Sequence, residues 1–90
     1  MPQPRTFLYI GFLAGPHDDP RQDSSWLQRE TMLDMDDVQK AMKVARGQVE
    51  KMKRKAGEKG KIDASRPNCI IFKSSLTGVV HCWFCTDREF

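Results

Sequence analysis

The sequence lacks an apolar run long enough to cross a membrane. Its longest run, Phe7 to Ala14, has eight residues and ends at Gly15 and Pro16, whereas a membrane-spanning helix needs roughly 20. Residues 1–5 carry one positive charge and two prolines, which is a poor start for a secretory signal. We therefore expect a cytoplasmic protein with no membrane partner.

Cysteine is scarce, and its number is odd. Three cysteines cannot all pair in a closed disulfide framework, which favours a reducing compartment. His81, Cys82 and Cys85, with Cys69 or His17 as further ligands, have the side-chain types that bind zinc. In a regular strand, however, Cys82 and Cys85 point to opposite faces. We therefore predict small apolar core cysteines, and no metal or cofactor.

A catalytic signature is also missing. The sequence offers no nucleophile spaced with a base, no paired carboxylates and no glycine loop that would cradle a phosphate. A cysteine and histidine pair formed by His81 and a neighbouring cysteine is the one geometric alternative. A small toxin-type ribonuclease would also be a basic α+β domain, but its acid and base residues cannot be assembled here. The prediction is a protein that is not an enzyme.

The charge that is present is strongly segregated. Residues 1–37 carry three basic and seven acidic side chains, whereas residues 38–66 carry ten basic and three acidic ones. Residues 67–90 carry two of each, so the net charge of +3 hides a local charge of +7. Such a field attracts phosphate backbones or acidic protein surfaces, although a solvated helix face gives the same pattern.

Three segments have the composition of strands. Phe7 to Ala14 is rich in aromatic and branched residues and is apolar on both faces, which is typical of a strand covered on both sides. Residues 68–74 and 79–85 flank the turn sequence Ser75-Leu76-Thr77-Gly78. Two β-rich runs around a short turn with glycine predict a hairpin.

Helix signals fill the middle of the chain. Ser25 and Gln28 have capping-box spacing, which predicts a short helix from Trp26 to about Leu33. Asp34 is then placed as the N-cap of a second helix, and Gly57 as its C-terminal left-handed cap. Residues 58–67 are predicted to form an exposed basic connector.

The second helix segment can be interpreted as one helix or as a helix-turn-helix. As one helix, it has an apolar seam at alternating spacings of three and four: Met35, Val38, Met42, Ala45, Val49, Met52 and Ala56. Gly47 costs such a helix about 1 kcal/mol, and Val44 lies off the seam. We prefer this interpretation because it needs no residue with a positive φ angle.

The helix-turn-helix alternative uses the sequence VQKAMKVARGQVEKM. Its buried positions resemble those of that family: Val38, Met42, Val44, Val49 and Met52. Residues 46–55 would form the recognition helix, with the hairpin as a wing. Against it, Lys43 occupies the turn position where glycine is usual, and Gly47 falls three residues too late.

These elements predict a single α+β domain over residues 1–90. A small three-stranded, mainly antiparallel sheet of β-α-β-β order would pack against one long helix, with the short helix before it. The basic side chains assigned to the outward helix surface are Lys40, Lys43, Arg46, Lys51, Lys53, Arg54 and Lys55. One helix covers only one sheet face, so the other must meet the Trp26 to Leu33 segment, a second copy of the chain or another protein. We predict a homodimer or a partner-binding sheet face. The residues assigned to that partner or dimer face are Tyr9, Ile71, His81 and Trp83.

Size, charge and missing chemistry together predict a small interaction protein. Compact domains of this kind are typical of phage or mobile-element accessory proteins, so we expect an anti-defence inhibitor or an adaptor. Its partner would be a host protein or a nucleic-acid-handling complex. The alternative is a regulator that binds DNA or RNA directly, either through a winged helix-turn-helix or through the basic helix surface alone.

Overall fold

The computed structural model describes residues 6–15, 17–35 and 38–86, with the side chains of residues 32–35 left aside. Five strands and one long helix make up this part of the chain. Their bounds are β1 Thr6–Leu13, β2 Trp26–Met35, α1 Val38–Ala56, β3 Gly60–Asp63, β4 Cys69–Ser74 and β5 Val80–Thr86. The strands form one sheet in the order β2-β1-β5-β4-β3, and every neighbouring pair is antiparallel. The α+β class and the long helix on an antiparallel sheet are confirmed, but the predicted three strands are five.

The first additional strand is β2, where the sequence predicts a short helix from Trp26 to about Leu33. The capping-box spacing of Ser25 and Gln28 is a local preference, whereas β2 pairs with β1 from Thr6 opposite Met35 to Leu13 opposite Trp26. This pairing satisfies the backbone of β1 on its outer side, so tertiary context overrides the local helix signal. Asp34 consequently lies in a strand, and its predicted role as a helix N-cap is wrong.

The second additional strand is β3, in the segment predicted to be a connector. Gly60 pairs with Ser74 and Asp63 with Ile71, so β3 forms the edge of the sheet next to β4. The predicted hairpin is confirmed, because β4 and β5 pair from Cys69 opposite Phe84 onward. Gly78 in its turn has a φ angle of +68° and donates its N–H to the Ser74 carbonyl oxygen at 2.9 Å.

The long helix is continuous from Val38 to Ala56. It passes through Lys43 without a turn, so the helix-turn-helix interpretation is wrong. Met35, which the predicted seam includes, lies in β2 instead. Gly57 follows the helix with a φ angle of +58°, which confirms the predicted left-handed cap.

The helix covers one face of the sheet, called here the helix side. Its inward residues Ala41, Met42, Ala45 and Val49 are buried. Val44, which the seam pattern leaves unexplained, packs at the edge of the same cluster. The buried sheet residues of the helix side are Leu8, Ile70, Phe72, Trp83 and Cys85.

The opposite face, called here the loop side, is also covered within the chain. Its buried residues are Phe7, Tyr9, Leu13, Cys69, Ile71, Val80, Cys82 and Phe84. The loop between β1 and β2 lies against them: Trp26 packs on this cluster and donates its Nε1–H to the Pro20 carbonyl oxygen at 2.8 Å. Arg66 holds the same loop by donating to the carbonyl oxygens of Asp18 at 2.8 Å and His17 at 3.2 Å.

Candidate functional site

The seven predicted basic residues all lie on α1, and six of them are exposed. Lys53 is the half-buried exception. Its ammonium group donates to the carbonyl oxygens of Gly57 and Gly60, each at 2.6 Å. These bonds satisfy acceptors at the C-terminal end of the helix, where a positive charge also complements the helix dipole. Lys53 is therefore a structural residue.

The centre of the exposed basic surface lies opposite the buried seam. At 100° per residue, Lys43, Lys51 and Arg54 project away from Ala45 and Val49. Lys40 lies on the same surface, and Arg46 and Lys55 lie on its two flanks. We call the exposed set the basic face: Lys40, Lys43, Arg46, Lys51, Arg54 and Lys55.

Gly47 lies in the middle of the basic face. A Cβ atom built at this position would have nothing within 4 Å. No packing inside the described part of the chain therefore requires glycine here. Between Lys43 and Arg54 the surface spans about 16 Å along the helix axis at 1.5 Å per residue. A flat ligand could approach the helix backbone closely along this span.

The three cations at the centre of the basic face have no ion-pair partner among the described residues. The ion pairs between described residues are Arg21 with Asp19 at 3.0 Å and Arg29 with Asp23 at 2.6 Å, both in the loop and strand region before the helix. Lys43, Lys51 and Arg54 form none with any described residue. The centre of the basic face is thus available to an external anion.

The four residues assigned to a partner or dimer face do not share one open surface. Tyr9 and Ile71 lie in the buried cluster of the loop side, at 2% and 3% exposure, and the Arg29 guanidinium lies over the Tyr9 ring. Trp83 lies on the helix side at 2% exposure and donates its Nε1–H to Gln48 Oε1 at 2.8 Å. His81, also on the helix side, is half-buried. Of the three covers that the sequence allows for the second face, the one within the chain is present, because Trp26 packs on the loop side.

His81 lies among aromatic rings at a corner of the sheet that the helix leaves partly open. Its ring centroid is 4.7 Å from that of Phe12 and 6.0 Å from that of Trp83. A cleft of about 160 Å³ opens beside it, lined also by Gln28 and Glu30. Burial lowers the pKa of His81 below its ordinary value. The site thus favours a neutral imidazole.

The three cysteines are buried free thiols. Cys82 lies on the loop side and Cys85 on the helix side, as the strand alternation predicts. The sequence reasoning missed that the Sγ atoms of Cys69 and Cys82 lie 3.8 Å apart. The hairpin register would have indicated this, because Cys69 pairs with Phe84 and Cys82 with Ile71. Within the described ranges, no group of three or more His, Cys, Asp or Glu side chains could hold a metal ion.

A second missed feature is Arg66, whose contacts to the β1–β2 loop join residues 48 and 49 positions apart. No local pattern around Arg66 indicates these contacts. Arg66 also lines a cleft of about 360 Å³ between the loop and the sheet, together with Arg21 and Cys69.

Comparisons of the chain with protein-family models, with curated proteins and with solved structures find no match. In the part of the chain that the structure describes, the helices are too short or too polar to cross a membrane.

Proposed function

We propose that this protein is a non-enzymatic binding protein that attaches to the phosphate backbone of nucleic acid, bare or within a nucleic-acid-handling complex. The attachment surface is the basic face of α1. The observation that carries the proposal is the exposure of Lys43, Lys51 and Arg54 opposite the buried seam, without ion pairs to described residues. One acidic residue, Glu50, is exposed on the same surface, so the cations remain in excess there. Cations in this arrangement bind phosphate groups by displacing their counterions.

The proposed contacts are to the phosphate backbone and not to the bases, so binding would not depend on the base sequence. A base-reading helix-turn-helix presents one short helix supported by a second, whereas α1 is a single element packed along the sheet. Lysine and arginine on one helix surface position a protein on phosphates without sequence information. In this role the protein would act as an inhibitor or an adaptor, by occupying the path of the nucleic acid on its partner complex.

The proposal is tested by measuring fluorescence anisotropy of labelled duplex and single-stranded oligonucleotides of random sequence at low salt. The test variant carries Lys43→Glu and Lys51→Glu on the basic face. Its control carries Lys61→Glu and Lys73→Glu, which are paired neighbours on β3 and β4. Both control lysines are exposed, and strand alternation places them on the loop side, away from α1.

Both variants change the net charge equally, so only the position of the charges differs. In the test variant each substitution replaces a positive side chain that would contact a phosphate by a negative side chain that repels it. We expect its affinity to fall at least tenfold, which corresponds to about 1.4 kcal/mol, while the control keeps most of its affinity. The proposal would be contradicted if the wild-type protein bound neither the duplex nor the single strand. Equal losses of affinity in the test and control variants would also contradict it. An acidic protein surface would then be the partner to test against the basic face.

The predicted homodimer stays a prediction. Its original support was an uncovered sheet face, and the loop side does not provide one.

A further inference from the structure

Cys69 and Cys82 lie side by side on the loop side of the sheet, with their Sγ atoms 3.8 Å apart. They are diagonal neighbours on β4 and β5, since Cys69 is opposite Phe84 and Cys82 is opposite Ile71. The right-handed twist of paired strands brings one diagonal of each such set together. A disulfide has an S–S bond of about 2.05 Å, so closure requires the sulfurs to approach by less than the diameter of one atom.

Only one of the two cysteines lines a cleft, although both are buried. Cys69 lines the cleft of about 360 Å³ between the β1–β2 loop and the sheet, together with Arg21, Arg66 and Phe84. Cys82 is fully buried behind it. A small reagent that enters the cleft therefore meets Cys69 first.

The surroundings make the two thiols chemically unequal. The hydrogen bond between the sulfurs lowers the pKa of Cys69 and raises that of Cys82, because one thiolate is stabilised by the remaining thiol. Arg66 adds a positive charge that also lowers the pKa of Cys69, against the opposing effect of burial. The thiolate is the reactive form of cysteine, so Cys69 is the better nucleophile of the pair.

We propose that Cys69 and Cys82 form a reversible disulfide when the protein meets a small peroxide. The Cys69 thiolate attacks one peroxide oxygen, the O–O bond breaks, and the released hydroxide takes up the proton lost by Cys69 as water. Cys69 is then a sulfenic acid. The Cys82 sulfur attacks the Cys69 sulfur, the S–O bond breaks, and the hydroxyl leaves as water with the Cys82 proton. The dithiol loses two electrons, which reduce one hydrogen peroxide to two waters.

Reversibility follows from the chemistry of the bond, because an excess of a reducing thiol breaks a disulfide by thiol–disulfide exchange. A reducing compartment would therefore return the pair to thiols. This inference does not depend on the nucleic-acid proposal, because the cleft lies on the loop side and the basic face lies on the outward surface of α1.

The test treats reduced, folded protein with hydrogen peroxide, removes the peroxide, unfolds the chain and blocks the remaining thiols with N-ethylmaleimide. The untreated chain should take up three maleimides, one for each cysteine. The oxidised chain should take up one, on Cys85, and peptide mapping should find Cys69 linked to Cys82. Dithiothreitol should restore the uptake of three.

Two controls separate folded geometry from general thiol reactivity. Cys85→Ala should keep the cross-link, whereas Cys69→Ala should lose it. Oxidation in denaturant should instead link Cys82 to Cys85, because their loop is much shorter. The proposal is overturned if the folded wild type keeps three reactive thiols, if Cys69 proceeds to sulfinic acid without a cross-link, or if Cys82 pairs with Cys85 in the folded protein. The wild-type mapping decides this even if a variant fails to fold.

Discussion

Trp83 on β5 donates its indole N–H to Gln48 Oε1 on α1 at 2.8 Å, across the interface between the helix and the sheet. Trp83 is 2% exposed, so this bond satisfies a polar group inside the core. It fixes the rotation of α1 on the sheet. The same rotation sets the direction of the basic face.

Replacement of Gln48 by alanine should therefore destabilise the protein. It removes the acceptor of a part-buried hydrogen bond, and the net contribution of such a bond is about 0.5–1.5 kcal/mol. The free energy of unfolding from urea titration measures the change. Gln39→Ala, at an exposed position of the same helix, is the matched control and should change stability by less than about 0.5 kcal/mol. Equal effects of the two substitutions would show that the bond does not contribute.

Gly47→Ala should stabilise the protein by about 1 kcal/mol, because alanine favours the helix and its Cβ meets open space. Gly11→Ala is the contrasting substitution. A Cβ at Gly11 would lie 1.9 Å from the Gln28 carbonyl oxygen of β2, so the two strands would have to separate. The thermal unfolding midpoint of each variant is compared with that of the wild type, and it should rise for Gly47→Ala and fall for Gly11→Ala. A destabilising Gly47→Ala would mean that α1 is not the continuous exposed helix described above.

His81 should make stability fall as the pH falls below about 6.5. Its pKa in the folded protein is lowered from 6.5 by burial, so the unfolded chain binds the proton first. The contribution of neutral His81 to stability is fully present above pH 6.5, and it is lost as the pH decreases toward the pKa of His81 in the folded protein. The carboxyl pKa values of Asp19 and Asp63 are lowered from 3.8 by hydrogen bonds from Arg21 and Ser65, so their contribution is lost only at lower pH.

The measurement is the free energy of unfolding across this window for the wild type and for His81→Phe. Phenylalanine keeps a ring beside Phe12 and cannot be protonated. The variant should show a flatter pH profile above pH 3.8. Parallel profiles for the two proteins would assign the loss of stability to another group.

Arg66→Met should loosen the β1–β2 loop. Methionine keeps the apolar stem but loses the donors to the carbonyl oxygens of His17 and Asp18. Limited trypsin digestion followed by mass spectrometry should show faster cleavage after Arg21, which lies in this loop and is exposed. Arg54→Met, on the basic face, is the control and should leave that rate unchanged. Unchanged cleavage in Arg66→Met would show that the loop is held by other contacts.

The sequence predicted elements whose signals are local. The β4–β5 hairpin was predictable because Gly78 and its neighbours form the turn, and the end of α1 because Gly57 allows a positive φ angle. The segment from Trp26 was assigned to the wrong element because its strand pairing is with β1, which a local capping pattern cannot indicate. β3 was missed for the same reason, since four residues form a strand only where β4 offers an edge.

In the candidate site, too, the features with a local sequence signal were predictable and those that depend on the tertiary structure were not. Helical periodicity alone places Lys43, Lys51 and Arg54 opposite the seam. It cannot separate Lys53 from them, because the role of Lys53 depends on the path of the backbone after the helix, where Gly57 and Gly60 supply its acceptors. The contact between Cys69 and Cys82 required the register of the hairpin, which the sequence leaves open by one or two residues.

The salt dependence of nucleic-acid binding tests the central claim most directly. If Lys43, Arg46, Lys51 and Arg54 each contact a phosphate, log K against log salt should have a slope of about −3.6 on duplex DNA. Lys51→Ala should make the slope shallower by about 0.9, and Lys73→Ala should leave it unchanged. A wild-type slope near zero, or the same slope in Lys51→Ala as in the wild type, would contradict phosphate binding by the basic face.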